Sequence, residues 1–202
     1  MVIVAIAGGT GSGKTTLAKK IIDSYQNVKI NYLSLDSYYK DFSQMSFTER
    51  SKINFDHPDS IDFDLFYQQI NEYLTGSDIK TPTYSYKRHK RLKKKGNLRQ
   101  GDLLIVDGIL ILLKKSIRDF FDLSIFLKVN SSERLKRRII RDINERGRSK
   151  IEISDRFYNM IKPMHKKYVK PSENFADVVL GEDYDYELIK IKIDQLLNGN
   201  HK

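Results

Sequence analysis

Apolar positions along the 202-residue chain follow two alternating patterns. Short aliphatic runs, rich in β-branched residues and without strict alternation, occupy 2–7, 31–35, 103–106, 124–129 and 176–180. Such runs are expected of parallel strands covered on both faces. Between them, apolar residues at helical spacing predict helices over 14–24, 62–74, 116–120, 132–145 and 151–169. A last helix is predicted over 185–197. Strand and helix alternate, which predicts an α/β fold built on a parallel five-stranded sheet flanked by helices. The segment 82–99 interrupts the alternation and reads as an exposed β-hairpin or loop. No repeat or low-complexity linker divides the chain, so one domain over 1–202 is expected.

Composition removes several classes. With 40% hydrophobic and 31% charged residues the chain reads as a soluble globular protein. The absence of Cys excludes disulfides and thiolate metal sites. The first apolar run is too short for a secretory signal, and no stretch approaches the roughly 18–20 apolar residues of a membrane span. A cytoplasmic protein without a membrane partner is expected.

Net charge is +10, which by itself suggests a polyanionic partner. The excess is local. Seven Lys/Arg and no acid lie between Lys87 and Lys95, and eight more lie between Arg134 and Lys150. The rest of the chain is net acidic, a distribution that favours discrete anion sites over a uniformly basic surface.

One of those sites is written at the end of the first strand. Gly8, Gly9, Thr10, Gly11, Ser12, Gly13, Lys14 and Thr15, followed by Thr16, fit the G-x-x-x-x-G-K-[ST] phosphate loop, with a strand before and a helix after it. Glycines let backbone N–H groups converge on phosphate oxygens, and the helix N-terminus adds partial positive charge. Lys14 would reach the β- and γ-phosphates and the Thr15 hydroxyl would ligate Mg²⁺. Such a loop indicates a nucleotide without specifying a reaction.

Two carboxylates sit where parallel strands end. Asp36 would accept the proton of an attacking hydroxyl or hold a water on Mg²⁺. Asp107 stands where a Walker-B carboxylate is expected and would bind Mg²⁺ through water. Downstream, Arg138 and Arg141 share a helix face, and Gly147 can end that helix, leaving Arg146 and Arg148 on a turn. An arginine-rich helix and loop over 134–150 suits a lid closing on a transferring phosphate and excluding water.

In this order the residues resemble the uridine kinase (uridine–cytidine kinase) family of phosphate-loop nucleoside kinases. The likeness runs through 8–16, 36–39, Asn54-Phe55-Asp56-His57-Pro58-Asp59, 82–89, 108–110, 137–148, Lys162-Pro163 and Ala176-Asp177. It implies a P-loop NTPase-type fold with an inserted β-hairpin and an Arg-rich helical lid. It also implies transfer of the γ-phosphate of ATP or GTP to the 5′-hydroxyl of uridine or cytidine with Mg²⁺, commonly by a homotetramer. By position it makes Asp36 the general base and sets Asp56 and Arg138 on the ribose hydroxyls. Tyr39, Phe55, Tyr84 and Tyr86 would line the base pocket, and His89 would bond the pyrimidine edge. Arg141, Arg146 and Arg148 would act on phosphates.

The chain departs from the family at Asp107, where Glu is usual, and at Ser85, where Asp is usual. Counting from Arg148 without a gap puts Arg156 where the family has a Gln near the base. The same fold with another acceptor, such as nicotinamide riboside, pantothenate or a sugar phosphate, is one alternative. A nucleic-acid-associated ATPase using 87–95 is another, although no nucleic-acid-binding motif accompanies that run.

Overall fold

The computed structural model describes residues 1–199. Its central sheet has five parallel strands: β1 (Val2–Gly8), β2 (Ile30–Ser34), β5 (Leu103–Asp107), β6 (Leu123–Leu127) and β7 (Val178–Leu180). They lie side by side in the order β2-β5-β1-β6-β7. Every residue of β1, β5 and β6 is buried, which is why these strands read as continuous apolar runs.

The pleat divides each strand between two cores. Val2, Val4 and Ile6 pack with Leu17 and Ile21 of α1 (Lys14–Asp23) and with Ile189 and Ile193 of α8 (Tyr186–Gly199). Ile3, Ala5 and Ala7 belong to the other core, with Phe63, Phe66 and Ile70 of α3 (Phe63–Leu74). Each such large side chain contributes about 1.5–3 kcal/mol on burial. Crossovers from β1 and from β5 run to opposite sides of the sheet, so the crevice between their carboxyl ends is a topological switch point. The phosphate loop and Asp107 both open onto that crevice.

The interrupting segment is a hairpin. β3 (Tyr84–Ser85) pairs antiparallel with β4 (Lys90–Arg91), and a bridge between Ile79 and Leu98 extends the ribbon towards its base. A helix not anticipated from the pattern, α2 (Phe47–Lys52), starts at a capping box between Ser46 and Glu49. The expected helix over 116–120 is the shorter α4 (Lys115–Arg118). The last strand begins two residues later than expected. Asp177, just before it, accepts hydrogen bonds from the Ser124 amide (2.7 Å) and hydroxyl (2.6 Å) instead of continuing the ladder.

α5 (Ser131–Arg146) carries the arginine-rich stretch and ends at Gly147, whose φ of 66° is the left-handed conformation glycine adopts freely. The helix expected over 151–169 is not one regular α-helix. α6 (Lys150–Arg156) and α7 (Lys162–Met164) alternate with π-turns at Phe157–Ile161 and His165–Val169. Pro163 lacks an amide hydrogen and crowds the carbonyl four residues earlier, so the backbone widens around it. Among the described residues no helix is long and apolar enough to cross a membrane.

Candidate active site

A cavity of about 890 Å³ lies over the crevice between β1 and β5. It gathers, from distant parts of the chain, the phosphate loop, the ends of β2 and β5, Phe55 and Asp56, the hairpin and the arginine-rich face of α5. Of the residues given a catalytic, binding or metal-ligating role above, Gly8, Gly9 and Ser12 alone do not line it. They form the body of the loop beneath, and Ser12 is buried.

Gly11 and Gly13 have φ values of 77° and 96°, and α1 begins at Lys14 with no side-chain cap on its first amides. Those free N–H groups at a helix N-terminus form a ready anion cradle. Lys14 Nζ folds back onto the carbonyls of Gly8 (3.1 Å) and Gly9 (3.2 Å). Burial lowers the Lys14 pKa, against the pull of Asp107 and Asp36. Thr15 Oγ1 donates to Asp107 Oδ2 at 3.2 Å, which places two hard oxygen donors together beside the cradle. Asp107 is 3% exposed, and burial raises its pKa.

Asp36 sits in a 3-10 turn (Leu35–Tyr38) directly after β2, its amide held by Ser34 Oγ. Its two carboxylate oxygens accept from different tyrosines, Oδ1 from Tyr39 OH and Oδ2 from Tyr86 OH, both at 3.3 Å. Beyond them lies an aromatic cluster. Tyr39 meets Phe55 and Tyr84 edge-on at 4.9 and 5.1 Å, and Phe55 stacks on His89 at 5.3 Å with 13° between the rings. His89 adopts φ 48°, the left-handed region, which turns the hairpin tip back over the cavity. Its pKa is pushed down to about 4 by burial and by Arg148, Arg156 and Arg146, so the ring is neutral at physiological pH. Asp56 is half-buried, and burial raises its pKa against the opposing pull of Arg138.

Arg138 is 8% exposed and donates from Nη1 to Thr10 Oγ1 at 2.7 Å, tying α5 to the phosphate loop. Arg141, Arg146 and Arg148 converge with it on Asp142, a fully buried carboxylate that pattern reading passed over. Burial opposes ionisation of Asp142, yet Arg138, Arg141 and Arg146 prevail and hold its pKa below the usual value. A signal existed: Asp142 lies four residues from both Arg138 and Arg146 on one helix face. Tyr32 and Ser34 at the end of β2, and Arg137 on α5, also line the cavity without having been singled out. Arg156 lines it too, with both of its Nη groups engaged by backbone carbonyls. Nη1 donates to Ser51 O at 2.6 Å and Nη2 to Ile53 O at 3.3 Å, clamping the end of α2. The exposed Lys93, Lys94 and Lys95 lie outside the cavity.

Comparison with known proteins accords with this assembly. The profile of the Phosphoribulokinase / Uridine kinase family matches residues 3–185. The chain is similar to a uridine kinase of Streptococcus pyogenes serotype M5 (strain Manfredo), with 41% identity over 90% of this chain and 87% of that one. It is similar to a uridine kinase of Clostridium novyi (strain NT), with 36% identity over 98% of each. Phosphoribulokinase from Rhodobacter spheroides shares the fold, with a TM-score of 0.67 at 15% identity over 89% of this chain and 69% of that one. Matched by that profile over most of its length and 41% identical to a uridine kinase over 90% of it, the chain belongs to the phosphoribulokinase/uridine kinase family.

Proposed function

We propose that the central cavity transfers the γ-phosphate of ATP or GTP to the 5′-hydroxyl of uridine or cytidine. The observation that carries this reading is the placement of Asp36, a proton acceptor where the phosphate cradle meets the aromatic cluster, its two oxygens oriented by Tyr39 and Tyr86. An aromatic-lined recess suits a flat base better than the acyclic chain of pantothenate or a sugar phosphate. Asp56 and Arg138 would hold the ribose hydroxyls. The neutral His89 would bond the base edge, and Phe55, Tyr84 and Arg156 would form its walls.

In this mechanism the 5′-oxygen bonds to the γ-phosphorus while the bond from that phosphorus to its bridging oxygen breaks. The hydroxyl proton passes to Asp36, and the nucleoside diphosphate departs. The loop amides, Lys14 and Thr16 bind the triphosphate, and Lys14 must leave the Gly8 and Gly9 carbonyls to do so. Arg138, Arg141, Arg146 and Arg148 are held on Asp142 around the transferring group, where guanidinium donors meet charge that builds in the transition state. The paired oxygens of Thr15 and Asp107 fit Mg²⁺, which prefers hard ligands and retains waters; Asp36 would hold one such water. Bound there, Mg²⁺ supplies charge neutralisation for the triphosphate.

The hairpin over 82–99 and the lid over 134–150 belong, in this reading, to one catalytic unit over 1–202. It acts in the cytoplasm as a homo-oligomer, a tetramer by family likeness, without nucleic acid or membrane as partner. Incubation of the protein with ATP, Mg²⁺ and a panel of ribonucleosides tests the reaction. Conversion of uridine or cytidine to the 5′-monophosphate is expected. Binding of ATP with no nucleoside phosphorylated would refute the acceptor.

A further inference from the structure

A second cavity, of about 610 Å³, shares no lining residue with the first. It lies against the carboxyl end of β6, the start of α5 and the widened helical segment around Pro163. Its walls combine two chemistries. Phe126, Val129, Tyr158 and Pro163 offer apolar and aromatic surface. Lys128, Arg134, Lys162, Lys166 and Lys170 supply positive charge against a single acid, Glu173, which already pairs with Lys128 (3.1 Å) and with Lys170. Lys162 lies over the ring of the half-exposed Tyr158 at 5.6 Å.

The inner wall holds polar atoms without partners. Arg134 is 2% exposed, and its Nε donates to Val129 O at 3.2 Å. Its Nη1 is buried and unpartnered, as is Nδ1 of His165. Unpaired buried polar atoms are costly, and each calls for a reason. The His165 pKa is depressed to about 4 by burial, Arg134, Lys170 and Lys14, so the ring is neutral and free to donate or accept. The sixteen-residue α5 opens at the same place with no side-chain cap from Asn130, which adds free amides to the cationic side. Both orphaned atoms press on the back of the phosphate loop. A β-carbon placed on Gly9 would lie 2.4 Å from Arg134 Nη1 and 2.9 Å from His165 Nδ1.

We propose that this second cavity binds a small phosphate carrying a flat ring. The phosphate sits among Arg134, Lys166 and the first amides of α5, and the ring lies against Tyr158 and Pro163. The cation excess selects an anion, the aromatic and proline surface selects a ring, and the volume suits a small organic molecule. A shift of the Arg134 guanidinium towards the anion would relieve its unpaired donor and change its contact with Gly9, so occupancy is expected to reach the phosphate loop.

Titration of the full chain with phenyl phosphate, followed by site-resolved amide NMR, tests this directly, with inorganic phosphate and benzyl alcohol as single-chemistry arms. Saturable shifts are expected at Ser131, Tyr158 and His165, with an apparent Kd of about 1 mM or tighter. Each single-chemistry probe should bind at least about tenfold more weakly, since each forgoes one of the two walls. The exposed pair Lys162→Glu and Lys166→Glu should weaken phenyl phosphate by at least about tenfold while other amide positions stay put. Tyr158→Ala should weaken phenyl phosphate and leave inorganic phosphate unchanged. Shifts confined to 11–15 and the hairpin, shifts that do not saturate, or affinity unchanged in the charge-reversed pair would overturn the proposal.

Discussion

Asp142 Oδ1 lies 2.8 Å from Arg141 Nη2 and also accepts from Arg141 Nε at 2.9 Å, although Asp142 itself has no solvent exposure. The same carboxylate reaches Arg138 at 3.4 Å, Arg146 at 3.4 Å and Arg148 at 3.9 Å. One buried negative charge therefore gathers the four cations proposed to meet the transferring phosphate. Asp142→Asn keeps the shape and removes the charge. Stability should fall by about 3 kcal/mol, as when one partner of a buried ion pair is lost. The kcat for nucleoside phosphorylation should fall on the order of 10²-fold as the guanidinium groups lose their placement. Urea unfolding and steady-state kinetics measure both; a normal kcat would mean that substrate phosphates alone order the arginines.

The Thr15–Asp107 pair predicts a specific metal phenotype. Thr15→Val preserves the branched shape and deletes the hydroxyl, and Asp107→Asn deletes the charge. Each should raise the Mg²⁺ concentration for half-maximal rate by roughly tenfold, about the effect of losing one ligand interaction of 1–2 kcal/mol. Rate against Mg²⁺ at saturating nucleotide reads this out. An unchanged Mg²⁺ dependence in both variants would remove the pair from the metal site.

His89 ties stability to pH. Its folded pKa of about 4 lies below the ordinary 6.5, so between those values the unfolded chain takes up a proton that the folded protein refuses. Its contribution to stability therefore rises with pH from 4 to 6.5 and is complete above 6.5. His165 acts in the same direction. His89→Asn, which tolerates φ 48°, should flatten but not abolish the slope of urea midpoint against pH in that window. An identical slope in wild type and variant would show that His89 protonates freely when folded.

Charge reversal at Lys93, Lys94 and Lys95 separates the kinase from the nucleic-acid reading. All three are exposed and lie outside the cavity. Uridine phosphorylation should persist within about twofold, as for surface substitutions generally. Loss of a nucleic-acid-stimulated ATPase in the same variant would favour the other assignment.

How much of this was readable before the fold depends on which interactions write themselves locally. β1, β5 and β6 are buried on both faces, so their sequences are plain apolar runs. The phosphate loop announces itself because its chemistry is backbone chemistry, confined to 8–15. The hairpin aromatics and His89 were found through family likeness, whereas the stacking of His89 on Phe55 depends on contact across thirty-four residues. α2 was missed because six residues carry little periodicity, although Ser46 and Glu49 spell its capping box. Arg156 illustrates the opposite limit. Its position along the family pattern suggested a place near the base, and it does line the cavity, but no side-chain pattern records the backbone carbonyls of Ser51 and Ile53 that engage its two Nη groups.

The most direct test of the central claim is phosphorylation of uridine by wild-type protein and by Asp36→Asn, with ATP binding measured on the same samples. The wild type should yield uridine 5′-monophosphate. The variant should lose at least about 10²-fold in kcat, the scale of a general base, while binding ATP nearly as well. Comparable turnover by Asp36→Asn, or no uridine or cytidine phosphorylation by a wild-type protein that binds ATP, would contradict the account.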